Sequence, residues 1–293
     1  MPVVAASLIL VSAVIHATWN IMARHSHTKS TFIWYMLMPL ATVGLVPGLA
    51  AALQLDSITP TVWAYVMASG FCCGLYFFSL GKAYTIADFT TVYPVARSLP
   101  VLLVAAGDVL RGARPTVPGW MGMVLVVAGC LIAPLESFAQ LEWRRYWNKA
   151  SFWMVLTALG TVGYSLLDKR SSELLVKGPV TALVYTYLFY LFSFASYWLI
   201  TGIRGGFRPR PLPEGTSLTV PALAGLFSFL GYFLVVWAYQ MVEQASYVVA
   251  FRQSSLVVGV LMAFAFYREE RHWVRLAAVL VITLGLILIS LYG

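Results

Sequence analysis

Apolar residues occur along this chain in long runs, and short polar segments separate one run from the next. A membrane-spanning helix needs about 20 mostly apolar residues. By that measure the chain has ten candidate spans, at residues 3–23, 31–53, 61–83, 88–108, 117–135, 151–168, 179–202, 219–240, 246–267 and 273–292. The segments between them are too short for a separate soluble domain. The pattern therefore predicts an all-α integral membrane protein with ten transmembrane helices.

Composition supports a chain that lies in a lipid bilayer. It is 60% hydrophobic and 10% charged, whereas a soluble domain carries about 25% charged residues. The net charge of +8 comes from Lys and Arg residues placed singly or in pairs between apolar runs, which is typical of loop charges that orient membrane proteins. We therefore expect no nucleic-acid partner. The first run lacks a basic leader and exceeds the length of a signal sequence, which predicts a retained span.

The two halves of the chain are similar to each other. The end of span one, Ser12–Ser26, aligns without gaps with the end of span six, Thr157–Ser171, and this places Trp19 against Tyr164. A five-span unit repeated once is inverted, because an odd number of crossings starts the second copy on the other side. Inverted repeats are common in secondary transporters. The sequence predicts a first five-helix repeat at 1–135, a connecting loop at 136–150 and a second repeat at 151–293.

Three segments resemble the drug/metabolite transporter superfamily and, within it, the EamA-type ten-span transporters. They are HATWN at His16–Asn20, KAYTIADFTTVYPVARSLP at Lys82–Pro100 and GWMGMVLVVAGCLI at Gly119–Ile132. The resemblance implies gradient-driven transport across a bacterial inner or plasma membrane. It also implies a cavity lined by spans one, three, four, six, eight and nine. The chain has no GxxxxGK[ST] phosphate loop, which agrees with transport that is not driven by ATP.

The orientation of the termini has two interpretations. Lys and Arg residues are more numerous in the loops on the side opposite the termini, so the positive-inside rule places both termini outside. The family resemblance favours cytoplasmic termini.

Two arginines, Arg97 and Arg252, lie near the middle of spans four and nine. A charge at the bilayer centre costs roughly 2.5–3.5 kcal/mol on insertion scales and often marks a ligand path. Because the guanidinium group matches carboxylates and phosphates bidentately, we expect both residues to bind an anionic group, with Tyr93 and Gln253 as neighbouring contacts. The structural alternative is that each arginine contacts backbone carbonyls or an internal acid, for which the candidates are Asp88, Asp108, Asp168 and Glu243.

Span one contributes His16, Trp19 and Asn20, with the first and last of these on one helix face. Histidine titrates near neutral pH, so a role in proton coupling or in hydrogen bonding to a solute is the functional interpretation, and helix packing is the alternative. The aromatic residues best placed to line a pocket are Tyr76, Tyr164 and Tyr232, although membrane tyrosines are more often interface anchors or packing residues.

These residues favour a secondary active transporter of a small anionic or zwitterionic metabolite, such as an amino acid or organic anion. Alternating access would operate around a midplane site between the repeats. The alternative is an exporter of amphipathic drugs with the same fold. An integral-membrane enzyme is less favoured, because the spans contain no paired carboxylates, and the histidines and cysteines have no metal-ligand spacing. We expect no cofactor and no metal, but a proton or ion could be coupled to the solute.

Spans five and ten share small residues at a seven-residue period, Gly122 with Gly129 and Ala278 with Gly285. Small residues let membrane helices approach closely. Both spans are otherwise almost free of polar groups, so we expect them to be outer packing helices or a homodimer contact.

Overall fold

The computed structural model describes residues 1–24, 29–86, 89–135, 149–205, 217–266 and 273–293. These residues form helices and contain no strand. In chain order the helices are α1 (Val3–Arg24), α2 (Lys29–Val43), α3 (Leu45–Gln54), α4 (Pro60–Ile86), α5 (Phe89–Leu110), α6 (Val117–Ile132), α7 (Ser151–Leu174), α8 (Pro179–Gly205), α9 (Thr219–Tyr239), α10 (Ala245–Phe251), α11 (Ser254–Phe266) and α12 (Trp273–Tyr292).

The helices confirm an all-α membrane fold. Within the described residues, six stretches are long and apolar enough to cross a membrane, and α2 with α3 form a seventh candidate that is bent by 58°. Helices α5, α6 and α7 are not among these seven, since α6 has 16 residues and α7 ends in the charged stretch from Asp168 to Glu173. The architecture is compatible with the predicted ten spans, and that number stays a prediction.

Tyr187 of α8 packs into the bend between α2 and α3. A Cβ atom added at Gly44 would lie 2.5 Å from its ring, and one added at Gly48 would also overlap the ring. The Tyr187 hydroxyl donates to the carbonyl oxygen of Ala41 at 3.1 Å. The ring therefore occupies the space that a side chain would need at the bend, and its hydroxyl satisfies a carbonyl close to the end of α2.

The most extensive helix contacts join the two predicted repeats. Helix α4 packs against α7 and α8, α1 packs against α9, and α6 packs against α12. At the α6–α12 crossing, a Cβ atom on Gly122 would lie 2.6 Å from the carbonyl oxygen of Gly285. The small residues of spans five and ten thus serve a contact within the chain, and the homodimer contact stays a prediction.

Polar and charged side chains lie inside the helix bundle, and large apolar side chains cover much of its outside. Val46, Leu53 and Ile203 are between 71% and 79% exposed, whereas Asp108 and Asp168 are fully buried. This distribution suits a protein in lipid, since hydrocarbon outside provides no driving force to bury leucine or valine. Polar side chains inside must instead find partners within the bundle.

Candidate functional site

A cavity lies in the interior of the bundle, between α1, α4, α7, α8, α9 and the junction of α10 with α11. Its empty volume is about 450 Å³, including the part open to solvent. The lining residues are Ser12, His16, Trp19, Cys73, Tyr76, Phe77, Tyr164, Phe189, Tyr190, Ser228, Gly231, Tyr232, Val235 and Arg252.

The structure brings six of the ten predicted site residues to this cavity. They are His16, Trp19, Tyr76, Tyr164, Tyr232 and Arg252. The side chain of Tyr93 lies outside the described residues. The other three predicted residues do not line the cavity. Of these, Asn20 donates to the His16 carbonyl oxygen at 2.7 Å, and Gln253 donates to the Val249 carbonyl oxygen at 3.0 Å.

A tight turn interrupts span nine where it reaches the cavity. Helix α10 ends at Phe251 and α11 begins at Ser254. The N–H groups of Gln253 and Ser255 bond to carbonyl oxygens three residues earlier, at 3.0 and 3.3 Å. Irregular backbone at membrane depth is tolerated where it is enclosed by protein or lines a cavity. Arg252 is the first residue of this turn.

The Arg252 guanidinium lies against two tyrosine rings of the cavity wall. Its Cζ is 5.3 Å from the ring centroid of Tyr232 and 5.9 Å from that of Tyr164, within the range of a cation–π interaction. Among the described residues, no carboxylate lies within ion-pair distance of Arg252. The cavity therefore contains a guanidinium group that lies against aromatic faces and forms no ion pair with any described carboxylate.

Arg97 holds the interrupted span in place. Its Nη2 donates to the carbonyl oxygen of Arg252 at 3.1 Å and to Ser255 Oγ at 2.5 Å. These bonds tie α5 to the interrupted span, where the same carbonyl also accepts from the Ser255 N–H and hydroxyl groups, at 3.3 and 2.9 Å. The contacts of Arg97 thus include the one that the structural alternative predicts, a backbone carbonyl, and Arg97 also contacts His16, a lining residue of the cavity.

His16 lies between two donor groups. Arg97 Nη1 is 3.1 Å from His16 Nε2, and Trp19 Nε1 is 3.0 Å from His16 Nδ1. A neutral imidazole has one acceptor nitrogen, so it accepts from only one of these neighbours at a time. Neither neighbour can accept a hydrogen bond from the ring. The two N–H groups of a protonated His16 would therefore face donors on both sides.

Helix α8 contributes two lining residues that the sequence interpretation did not include, Phe189 and Tyr190. The Phe189 ring stacks on Tyr232 with centroids 4.6 Å apart, and the Tyr190 hydroxyl is 2.7 Å from Ser228 Oγ. Span seven was not expected at the cavity, whereas span four was, and its described side chains contribute no lining residue. The aromatic-rich run YTYLFY at Tyr185–Tyr190 was the available signal.

Asp168 lies directly behind the cavity wall and is fully buried. Its Oδ1 accepts hydrogen bonds from Ser69 Oγ and from the Tyr185 hydroxyl, the latter at 2.7 Å. Its Oδ2 accepts from the hydroxyl of Tyr232, a lining residue. The sequence had named Asp168 as a candidate partner for an arginine, but its hydrogen-bond partners are hydroxyl groups from α4, α8 and α9.

An ion-pair network joins the predicted repeats at the end of the bundle where α5 and α7 end. Asp108 accepts from the backbone N–H groups of Ala245 and Ser246, at 3.1 and 2.7 Å. Arg111 pairs with Asp108 and with Glu173 of α7, both at 3.0 Å. The network therefore holds α5 of the first half against α7 and α10 of the second.

Metal chemistry finds no support in the described residues, where no group of three or more His, Cys, Asp and Glu side chains is placed to hold a metal ion. The cavity offers instead one guanidinium group, several hydroxyl groups and aromatic walls. Such a lining can hold a small solute through a few polar contacts while excluding bulk water.

Comparisons with known proteins extend this picture. A crystal structure of another protein is similar to the chain, with a TM-score of 0.71 at 16% identity over 98% of this chain and 96% of the other; at that identity the likeness shows the fold alone. No curated protein sequence matches the chain. The model of the EamA-like transporter family matches residues 3–133 and again 148–291. Because these two matches cover nearly the whole sequence, the chain belongs to the EamA-like transporter family, and it is a multi-pass integral membrane transporter of the drug/metabolite type.

Proposed function

We propose that this protein is a secondary active transporter for a small anionic or zwitterionic metabolite, such as an amino acid or an organic anion. The solute binds in the central cavity, and the two repeats move by alternating access around it. One observation carries the proposal: the Arg252 guanidinium faces the cavity without a carboxylate partner among the described residues. As the family resemblance implies, we place the transporter in a bacterial inner or plasma membrane.

The charge of Arg252 determines the sign of the solute. A guanidinium group is always protonated and presents several N–H donors in a planar fork. In a mostly apolar bundle it strongly favours a ligand that supplies negative charge and acceptor oxygens. Each hydrogen bond to a charged group contributes about 1.5–3 kcal/mol. A carboxylate that pairs bidentately with Arg252 would therefore gain a large part of its affinity there.

The aromatic walls fit the remaining part of such a solute. Tyr164, Phe189 and Tyr232 form a contiguous cluster, with centroid separations between 4.6 and 5.9 Å. Aromatic faces and edges contact apolar groups well, and tyrosine adds a hydroxyl for polar ones. We expect a solute with one anionic end and a compact apolar or aromatic body.

The ion-pair network of Asp108, Arg111 and Glu173 is consistent with alternating access. Within it, Arg111 and Glu173 form the contact between the end of α5 and α7 with side chains that are 22% and 30% exposed, and partly exposed ion pairs contribute little each. Contacts of that kind can separate and re-form more readily than a large apolar interface. Movement of one repeat against the other would open this end.

A binding screen tests the proposal. Purified protein is examined by thermal shift and by direct binding with organic anions, amino acids and lipophilic cations, using wild type, Arg252→Gln and Arg170→Gln. Arg170 is a matched control because it is exposed and pairs with Glu173 away from the cavity. We expect anions to bind wild type and Arg170→Gln, with an affinity loss of about 10- to 150-fold in Arg252→Gln, as one charged hydrogen-bond contact predicts. Unchanged anion affinity in Arg252→Gln would refute the anion site.

The aromatic lining supports a second candidate, an exporter of amphipathic drugs. Seven lining residues are aromatic rings of Trp, Tyr or Phe: Trp19, Tyr76, Phe77, Tyr164, Phe189, Tyr190 and Tyr232. Such walls bind many flat apolar compounds, including cations. The same screen separates the two candidates. If lipophilic cations bind wild type and Arg252→Gln equally and anions bind neither, the exporter is the better description.

A further inference from the structure

We propose that Asp168 is the carboxyl group that couples transport to protons: it takes up one proton from the cavity through the Tyr232 hydroxyl, and this proton strengthens anion binding beside Arg252. The proposal rests on the proposed function, since it concerns the same cavity and its anion. It makes the transporter a symporter of one anion with at least one proton.

Two fully buried aspartates in this chain are held in opposite ways. Asp108 is held by two backbone N–H groups and by Arg111, and these groups can only donate. A proton on Asp108 would therefore have no acceptor among these groups. Asp168 is held by three hydroxyl groups, and a hydroxyl can both donate and accept. Asp168 can therefore gain a proton and keep all its partners, because one hydroxyl turns from donor to acceptor.

Tyr232 connects this carboxyl group to the cavity. Its hydroxyl bonds to Asp168 Oδ2, while its ring lines the cavity and lies 5.3 Å from the Arg252 guanidinium carbon. The other two donors come from Ser69 and Tyr185, which do not line the cavity. Of the three donors, Tyr232 is thus the residue that contacts both Asp168 and the cavity in which the solute is proposed to bind.

The charges around Asp168 leave this carboxyl group without a direct cation. No basic side chain of the described residues lies within ion-pair distance of it. His16, the proton carrier suggested by the sequence, lies between two donors, so Asp168 is the better placed group. The titratable groups that face it from the neighbouring helices are Cys72 and Cys73 of α4, Tyr185 of α8, Tyr232 and Tyr239 of α9, Tyr164 of α7 itself, and Arg252.

The proton step is a relay that leaves tyrosine neutral. A hydronium ion in the cavity gives a proton to the Tyr232 oxygen while the proton already on that oxygen moves to Asp168 Oδ2. Water is left in the cavity, Tyr232 carries one proton as before, and Asp168 becomes neutral. The hydrogen bond between them is now reversed, with Asp168 donating and Tyr232 accepting.

Protonation changes the cavity in two ways that both favour an anion. The Tyr232 O–H no longer points at Asp168 and becomes a donor for a solute beside Arg252. The negative charge behind the wall also disappears, which removes its repulsion of the anion. By linkage, anion binding must promote proton uptake to the same extent. Affinity then rises as the pH falls, by up to about tenfold per pH unit for one linked proton.

Infrared spectroscopy tests the titration of Asp168 without any solute. The chain has four aspartates, so labelling aspartate with carbon-13 leaves few carboxyl bands to assign. We expect the C=O band of a protonated aspartic acid to appear as the buffer is made acidic, within the pH range in which the purified protein stays folded. Asp168→Asn should lack this band. A spectrum with no Asp168 band that changes over this range would overturn the proposal.

Binding of benzenesulfonate tests the coupling. This probe stays a monoanion at all working pH values, so any pH dependence of its affinity belongs to the protein. We expect affinity to rise with acidity in wild type, and to become independent of pH in Asp168→Asn. Tyr232→Phe, which loses the relay hydroxyl, should also lose most of the pH dependence. Tyr187→Phe is the matched control for pH dependence, because Tyr187 does not line the cavity and its hydroxyl bonds to the Ala41 carbonyl oxygen rather than to Asp168.

The outcomes separate this inference from the proposed function. Binding that requires Arg252 but has the same pH dependence in wild type and Tyr232→Phe would overturn the coupling and leave the anion site intact. If Asp168→Asn fails to fold, two measurements still test the proposal. They are the infrared titration of labelled wild type and the pH dependence of benzenesulfonate affinity in Tyr232→Phe. Absence of benzenesulfonate binding at every pH would contradict the anion site and the coupling together, even if Asp168 titrates.

Discussion

The crossing of α6 and α12 gives a prediction that depends on two backbone atoms. A Cβ atom on Gly285 would lie 2.5 Å from the carbonyl oxygen of Gly122 and 3.0 Å from the backbone nitrogen of Val126. Ordinary van der Waals contacts lie at 3.4–4 Å. Because both contacts are to backbone, no side-chain rotation relieves them, and the helices must move apart. Gly285→Ala is therefore expected to destabilise the protein.

The size of the effect follows from two opposing contributions. Overpacking a close contact costs about 1–3 kcal/mol, whereas alanine in a helix is favoured over glycine by roughly 0.5–1 kcal/mol. The net loss should be about 1–2 kcal/mol. On the scale of larger soluble domains, about 2–4 °C per kcal/mol, this corresponds to a decrease of several degrees in Tm.

Gly81→Ala in α4 is the matched control. A Cβ atom there meets no atom within 4 Å, so the variant keeps the helix-propensity gain without the clash, and its Tm should not fall. Thermal unfolding of both variants in the same detergent measures the difference. A Gly122→Ala/Gly285→Ala double variant should lose less than the sum of the single changes, because the first substitution already separates the helices. Equal shifts in Gly285→Ala and Gly81→Ala would refute the close approach.

Two further predictions concern the buried charges. Asp108→Asn should lower stability by about 3–5 kcal/mol, the usual cost of removing one partner of a buried pair, and its combination with Arg111→Gln should be non-additive in thermal unfolding; additive losses would contradict the network. Arg97→Gln should destabilise the protein by about 1.5–3 kcal/mol through loss of charged hydrogen bonds to the interrupted span, with a smaller loss of anion affinity than Arg252→Gln. A larger affinity loss at unchanged Tm would show instead that Arg97 contacts the solute.

Periodicity and residue type singled out six residues that the structure places at the cavity. Arg252 stood out because a charge inside an apolar run is costly, and the tyrosines stood out as polar-tipped rings on the expected cavity helices. The sequence could not distinguish the two arginines, because both lie in apolar spans with serine nearby. Their difference arises from the turn after Phe251, where the carbonyl of Arg252 becomes the acceptor for Arg97.

Asp168 shows why other residues at and behind the cavity wall could not be predicted from the sequence. It follows an apolar stretch and precedes Lys169 and Arg170, a context typical of a charge at a helix end. Its three hydroxyl partners come from residues between 17 and 99 positions away. Nothing in local sequence sets such distances, since they depend on how four helices pack. The same is true of Phe189 and Tyr190, which reach the cavity because α8 packs against both α4 and α9.

The sequence by itself determined that this chain is a helical membrane protein, that it resembles EamA-type transporters, and that its unusual polar residues are concentrated in a few spans. These properties depend on composition and on runs of about 20 residues, which are local. The tertiary structure decided which charge faces the cavity, which charge holds the backbone and which carboxyl group is surrounded by hydroxyls. Those outcomes depend on contacts between helices that are distant in sequence. Polar groups inside a membrane protein must find their hydrogen-bond partners within the protein, and helix packing decides which partners are near.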